Sequence, residues 1–415
     1  MHVQLVISLL ALIVKQYNMQ NQSYVVKLDS SNANLFKGRR STLSRLDIEL
    51  TERCNNNCMH CNINLPVDDL IAKQKELSLE GIQNILKEAV ELGCINVRFT
   101  GGEPLLRKDF KELYIFARKL GLRVLIFTNA TLITPDLIDV FTHIPPLEKI
   151  EVTVYGMKKS SYEGVTRIPG SFEAAWKGID LLLENKIPFI AKGALLPSNK
   201  DEVEEFASWA KNIPWMEDKL PSYSMFFDLR CRRDIERNQD IRDLRLSPDD
   251  GLKILTRNRD DYLKSMKEFC SKFMRPAGDK LFSCGSGIGS GCVDAYGNFQ
   301  PCMMLRHPDC VYDLKNGSLK DALESFFSKL REKKAENPKY LAKCAKCFLK
   351  GLCEQCPAKS WSEHGTLDTP VQYLCDVAHA QARYLGLIKK GENSWEVKDW
   401  KDRISIFSGN KPITQ

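Results

Sequence analysis

The chain has no basic arm and no zinc-finger Cys/His spacing, so nothing marks a dedicated nucleic-acid surface. Its formal charge of +7 is spread along 415 residues, which implies only mild attraction to anionic substrates or cofactors. A membrane-spanning run is missing too. The apolar run Val3 to Val14 covers 12 residues, too few to cross a bilayer, with no basic residue ahead of it and no small-residue cleavage site behind it. It is read as no signal peptide. A docking helix or interfacial anchor stands against the plainer readings, a translation start at Met19 or a disordered tail. Against these absences stand fifteen cysteines. Without a secretion signal, such a count in a reducing compartment points to metal or catalytic thiolates before disulfides, and an odd count leaves at least one outside any full pairing. The expected location is cytoplasmic. With 43% apolar residues the chain can bury two cores.

From Leu46 onward short β-branched or apolar runs alternate with helical patterns, as in a parallel sheet built from βα units. The expected strands are Leu46 to Leu50, Ile95 to Phe99, Arg123 to Phe127, Lys149 to Val154, Phe189 to Ala194 and Tyr223 to Asp228. Ser78 and Thr134, the latter followed by Pro135, read as helix N-caps, and Ser171 and Ser198 are expected to serve similarly. The fold class is therefore α/β, a partial (β/α)6 TIM-like barrel over residues 45–235, with its chemistry where the strands end. Residues 1–44 form an extension, 236–280 a linking helical segment and 381–415 a tail. Between them, residues 281–380 make a small cysteine-rich domain expected to owe its fold more to metal than to an apolar core. Nine of the fifteen cysteines fall between Cys284 and Cys375.

Directly after the first expected strand comes Thr51-Glu-Arg-Cys54-Asn-Asn-Asn-Cys58-Met-His-Cys61. Three thiolates spaced C-x3-C-x2-C on one loop can ligate three irons of a cubane cluster and leave the fourth open. A structural zinc loop is the alternative, but zinc closes its site with a fourth ligand, and the local candidate His60 is squeezed between two cysteines. The second strand runs into Phe99-Thr-Gly101-Gly102-Glu103-Pro104.

The cysteine loop and this turn together resemble the radical S-adenosylmethionine (radical SAM) superfamily, with His60 where that family usually has an aromatic residue. The resemblance implies that Gly101, Gly102, Glu103 and Pro104 hold the amino group of S-adenosylmethionine, the glycines allowing close backbone approach and Glu103 supplying charge or fixing the turn. It also implies a hydroxyl near the cofactor ribose, from Thr153 or, as a weaker choice, from Thr128-Asn129. Tyr155 stands where the family often has aspartate, which puts substrate contacts at that strand in doubt.

The later cysteines read Cys284-x7-Cys292-x9-Cys302, Cys344-x2-Cys347-x5-Cys353-x2-Cys356 and Cys375, and paired C-x2-C elements are a strong metal signal. A zinc ribbon is the plain reading. The set, with Gly297 ahead of Cys302, resembles the SPASM domain found behind many radical SAM barrels. By that resemblance Cys284, Cys302 and Cys356 hold one auxiliary [4Fe–4S] cluster with Cys292 as fourth ligand, and Cys344, Cys347, Cys353 and Cys375 hold a second. The family commonly has three residues between the last two cysteines of the dense run, where this chain has Glu354 and Gln355 alone. Cys94, Cys231, Cys270 and Cys310 match no motif and read as buried free thiols.

The resemblance spans about residues 45 to 380. It implies an oxidoreductase or maturase that reductively cleaves S-adenosylmethionine to a 5′-deoxyadenosyl radical, with one catalytic and two auxiliary clusters and an electron donor such as flavodoxin or ferredoxin. The first substrate expectation is a peptide or protein side chain, oxidatively modified. The alternatives are a small molecule such as a tetrapyrrole or sugar, and a metal-stabilised binding module without catalysis. Too little sequence precedes Leu46 for a separate leader-peptide domain, so peptide recognition is expected at the barrel mouth, the tail or another protein. The catalytic base is not legible. Asp228 and Asp279 are conceivable, and Arg230, Arg232 and Arg233 could meet an acidic group, although solvated roles are the plainer reading of all five.

Overall fold

In the computed structural model the described residues are 43–61, 63, 65–216, 222–225 and 235–409. Six parallel strands follow one another along the chain: β1 Arg45–Thr51, β2 Asn96–Gly101, β3 Arg123–Thr128, β4 Ile150–Val154, β5 Phe189–Leu195 and β6 Ser222–Met225. Each pairs in parallel with the next. The sheet does not end at β1. Strands β7 Ser290–Val293, β8 Asn298–Gln300 and β9 Tyr312–Asp313 extend it, β7 lying parallel to β1 with Asp47 opposite Cys292. The cysteine-rich segment thus shares backbone hydrogen bonds with the first barrel strand.

Alternation along each strand explains the two faces. On β4, Ile150, Val152 and Val154 are buried and join Val97, Phe99, Val124 and Ile126 in a core covered by helices such as Leu79–Glu91 and Phe110–Lys119. The opposite face carries Asp47, Glu49, Arg98, Phe127, Glu151, Thr153 and Lys192. Charge is balanced locally there, Arg98 lying 3.2 Å from Asp47 and Lys192 2.8 Å from Glu151. Both cations approach the Phe127 ring, at 4.4 and 3.1 Å from its centroid.

Helix starts follow the sequence where a free hydroxyl precedes the helix. Ser78 Oγ accepts from Gly81 N and Thr134 Oγ1 from Leu137 N. Two expected caps are corrected. Ser171 is the first residue inside its helix, Ser171–Glu184, with Gly170 at the cap, and its hydroxyl pairs with Thr166 at 2.7 Å. Ser198 caps nothing, because Asn199 fixes that corner by accepting from Leu196 N and donating to Tyr155 O and Ala194 O.

The linking segment holds three helices, Ile235–Asp243, Pro248–Leu255 and Arg259–Phe273. With the C-terminal helices Gln372–Tyr384 and Trp400–Ser408 it closes a second apolar core around Phe348, Leu349, Ala382, Leu387 and Ile404. The fold of the cysteine-rich region therefore has hydrophobic support of its own. Among the described residues no helix is long and apolar enough to cross a membrane.

Candidate active site

The loop from Cys54 to Cys61 follows the end of β1, and the residues that lead into it dock on the turn that leaves β2. Gly102 N donates to Thr51 O at 2.7 Å and Glu103 N to Arg53 O at 3.0 Å. There is no room for a side chain in this contact. A Cβ on Gly101, whose φ is +133°, would lie 2.1 Å from Thr51 O, and one on Gly102 2.2 Å from Arg53 O. The glycines thus let two backbone segments of the chain itself touch.

Glu103 is fully buried. Its carboxylate accepts from Leu105 N at 3.1 Å, Thr128 Oγ1 at 2.9 Å and Asn129 N at 2.8 Å, tying the turn to the end of β3. Burial pushes its pKa up to about 7, against the lowering effect of those donors. The Thr128 hydroxyl thus gives its proton to Glu103. Asn129 continues the chain of contacts, its amide nitrogen donating to Asn55 Oδ1 at 3.1 Å and lying 3.8 Å from Cys54 Sγ.

Burial raises the pKa of Cys54 and pushes Cys58 up to about 12, and the neighbouring loop thiolates add to both shifts. Such a trio is unfavourable as bare thiolates and becomes favourable around a positive metal centre. Tyr155 acts on Cys58 as a hydrogen-bond partner, and its ring lies 5.6 Å from that of His60. Asn56 in the same loop is 3% exposed, and neither of its side-chain amide atoms finds a partner among the described residues. A buried unsatisfied amide beside three thiolates fits a site built for a polar ligand. Among the described residues no three His, Cys, Asp or Glu side chains converge as ligands of a single ion. Cubane ligands bind different irons, whereas zinc draws its ligands to one centre.

Several residues that hold this loop carried no sequence signal. Arg53 forms a two-pronged contact with Glu76, at 2.8 and 3.1 Å, and Thr51 Oγ1 donates to the same carboxylate. Arg237 donates to the carbonyls of Cys61 at 2.6 Å and Cys58 at 3.1 Å, and Arg167 to Asn57 O at 2.6 Å. Thr153 lies half-buried on β4 with Lys192 as its register partner.

The later cysteines separate into two groups. Cys302 is raised by burial and then by the thiolates of Cys356 and Cys284, which places these three together. Cys292 is fully buried on β7, opposite Gln300, and is an electrostatic neighbour of Arg306. Arg306 in turn bridges Glu49 of β1 and Asp294, the latter at 3.0 Å. Cys344, Cys347, Cys353 and Cys375 line one cavity of about 660 Å³, together with Tyr340 and His379. Cys353 and Cys356 are close in sequence yet belong to different groups, because Glu354 between them adopts the left-handed conformation, φ 51° and ψ 8°. This turn accommodates the shortened spacing noted above.

Cys94, Cys270 and Cys310 are buried free thiols. Cys231, Asp228, Arg230, Arg232 and Arg233 lie outside the described residues. Asp279 is half-exposed and bound to Lys334 at 2.8 Å, and that hydrogen bond lowers its pKa, which makes it a poor proton acceptor.

Residues 48–210 match the model of the Radical SAM superfamily. These residues form a domain of this superfamily of enzymes, which use a [4Fe–4S] cluster and S-adenosylmethionine. Over most of its length it is similar to the AdoMet-dependent heme synthase of Methanosarcina barkeri, 25% identical over 76% of this chain and 92% of that one. The GTP 3',8-cyclase of Thermodesulfovibrio yellowstonii is 29% identical over 41% of this chain, which spans about half of that relative, 53%. Among solved structures, Streptococcus suis SuiB bound to S-adenosylmethionine has a TM-score of 0.59 at 14% identity over 88% of each chain. For anSMEcpe with bound AdoMet the TM-score is 0.55 at 16% identity, over 82% of this chain and 96% of that one. At these identities the two structures speak for the fold: α/β, with the mostly parallel sheet of radical SAM barrels.

Proposed function

We propose that Cys54, Cys58 and Cys61 hold the catalytic [4Fe–4S] cluster and that Gly101, Gly102, Glu103 and Pro104 shape the seat of S-adenosylmethionine, with Thr153 facing its ribose. The observation that carries this reading is the docking of Thr51 and Arg53, which lead directly into the cysteine loop, on the Gly101–Pro104 turn, two backbone hydrogen bonds with no space for a side chain. When bound, cluster and cofactor supply the 5′-deoxyadenosyl radical chemistry of the superfamily. The protein's part is positional. Glu103 and Asn129 lock the loop to β3, Arg237 and Arg167 clamp its carbonyls, and the apolar packing beneath excludes water. Residues 281–380 form a SPASM domain in this reading. Cys284, Cys302 and Cys356, with Cys292, hold one auxiliary cluster, and Cys344, Cys347, Cys353 and Cys375 the other.

The reaction proposed is oxidative modification of a substrate side chain in the cytoplasm, with reducing electrons from a flavodoxin or ferredoxin. Two substrate classes remain distinct. One relative, matched over 76% of this chain and 92% of its own length, is a heme synthase, and a second, 29% identical over 41% of this chain, is an Fe-coproporphyrin III synthase. These favour a tetrapyrrole. A peptide side chain is the second reading, favoured by the fold shared with SuiB bound to its precursor peptide SuiA and with anSMEcpe bound to the Cp18Cys peptide. The test is 5′-deoxyadenosine formation by anaerobically reconstituted protein given reductant and S-adenosylmethionine, against tetrapyrrole, metabolite and peptide fractions of source cells. Stimulation by iron coproporphyrin or another carboxylated tetrapyrrole is the expected result. Stimulation by the peptide fraction alone, abolished by protease treatment, would replace the tetrapyrrole reading with the peptide one.

A further inference from the structure

The interior face of the barrel sheet carries two cations that the cluster and cofactor residues do not use. Arg98 on β2 and Lys192 on β5 meet at the Phe127 ring of β3, with the guanidinium carbon 4.4 Å and the ammonium nitrogen 3.1 Å from its centroid. The two charges are therefore no further apart than those distances taken together. Arg98 Nη1 donates to Asp47 Oδ2 at 3.2 Å and lies 3.9 Å from the sulfur of Met303, the residue after Cys302. Its Nε is enclosed, and Nη2 makes no hydrogen bond among the described residues. The carboxylates of this face are already engaged. Asp47 is shared between Arg98 and Arg45, the latter at 3.6 Å, Glu151 accepts from Lys192 at 2.8 Å, and Glu49 is bound by Arg306. One carboxylate divided between two guanidinium groups leaves positive charge at Arg98.

We propose that Arg98 and Lys192 bind a carboxylate side chain of the substrate between them, beside the Phe127 ring. The inference rests on the tetrapyrrole reading above and names the feature of such a molecule that the barrel recognises. A guanidinium has five N–H donors and no acceptor, and it stays charged at every working pH, so Nη2 is matched by an acceptor and best by an anion. An ammonium group offers three donors and a carboxylate accepts through two oxygens, so one oxygen can meet each cation. Hydrogen bonds between charged partners are about twice as strong as neutral ones. The side chains of Arg98 and Lys192 are only 13% and 21% exposed, so salt screens such a contact little. Two cations at one ring also repel each other, and an anion between them removes that repulsion. The position fits as well. Arg98 precedes Gly101 by three residues of β2, about 10 Å of strand, so an anchored carboxylate lies beneath the strand ends where cluster and cofactor are proposed to sit.

The experiment titrates the full-length reconstituted chain with iron coproporphyrin III and, separately, with its fully esterified form, following the absorbance of the porphyrin. Wild type should bind the carboxylate form more tightly than the ester. In Arg98→Gln the affinity for the carboxylate form should fall by about 30-fold, the scale for removing one partner of a buried charge pair, while affinity for the ester stays at the wild-type value. An equal loss for both ligands overturns the proposal, because Arg98 would then shape the barrel rather than bind the carboxylate. Unchanged affinity for the carboxylate form overturns it too. Should Arg98→Gln fail to hold iron and sulfide at the wild-type level, Lys192→Gln carries the same comparison with the same expected loss of preference for the carboxylate form. Failure of the underlying reading has its own signature: wild type would bind neither ligand, and the tetrapyrrole reading would fall together with this inference.

Discussion

Replacing Gly102 by alanine is expected to lower S-adenosylmethionine cleavage by about 100-fold or more, the scale of loss that a displacement of about 1 Å produces in a positioned active site. The added Cβ would meet Arg53 O at 2.2 Å and Arg53 C at 2.6 Å. Both are backbone atoms one residue before Cys54, so no flexible side chain can yield. The loop must move away from the turn, and with it the hydrogen bonds from Gly102 to Thr51 and from Glu103 to Arg53. Overpacking of this kind costs about 1–3 kcal/mol, which the large core around β1 to β5 can absorb. The variant should therefore fold and keep its C-terminal clusters while losing 5′-deoxyadenosine formation. Wild-type cleavage by Gly102→Ala would mean that the loop and the turn do not act together.

Glu103→Gln is expected to weaken the same junction by another route and to show it in the pH dependence of stability. The carboxylate is the common acceptor of three donors, and the amide nitrogen of glutamine sets a donor against one of them in a fully buried place, at a cost of about 1–3 kcal/mol. Burial raises the folded pKa of Glu103 from its ordinary 4.5 to about 7. Between those values the folded protein binds a proton that the unfolded chain has released. Stability contributed at Glu103 is thus present below about pH 4.5 and falls as the pH rises towards about 7. Glutamine does not titrate, so the difference in melting temperature between wild type and variant should narrow across that window on going to higher pH. A constant difference would show that Glu103 carries no such shift.

The parallel sheet was legible because each strand is a short β-branched run ended by a motif or a helix cap, and one buried face selects the register. Observed and expected strand ends differ by two residues or fewer, a scatter inherent in such boundaries, apart from the end of β6, where residues 226–228 lie outside those described. Less legible was the extension of the sheet by β7. It depends on Asp47 meeting Cys292 across some 245 residues of chain, and the sequence around Ser290 to Val293 reads equally as a turn-rich cysteine segment. The second core was missed for a related reason. Its residues come from a charged helix, a C-x2-C segment and the tail, and none of these is apolar enough alone to announce a core. Caps at Ser171 and Ser198 failed because a side chain caps only when its residue stands just outside the helix, and one residue of offset sent the Ser171 hydroxyl to Thr166. In the site, the cysteines and glycines carry chemistry in their residue type and spacing. The residues that orient them, Glu76, Arg237 and Asn129, are ordinary polar side chains whose meaning comes from tertiary placement.

The measurement that tests the central claim most directly is iron and sulfide content together with 5′-deoxyadenosine formation, in anaerobically reconstituted wild type and in the variant with Cys54, Cys58 and Cys61 all replaced by alanine. Three cubane clusters predict about twelve irons with matching sulfide per wild-type chain. The variant should lose about a third of that iron and all cofactor cleavage, with the C-terminal cluster signals intact. A colourless, zinc-loaded wild type, or a triple variant that still cleaves S-adenosylmethionine, would contradict the account.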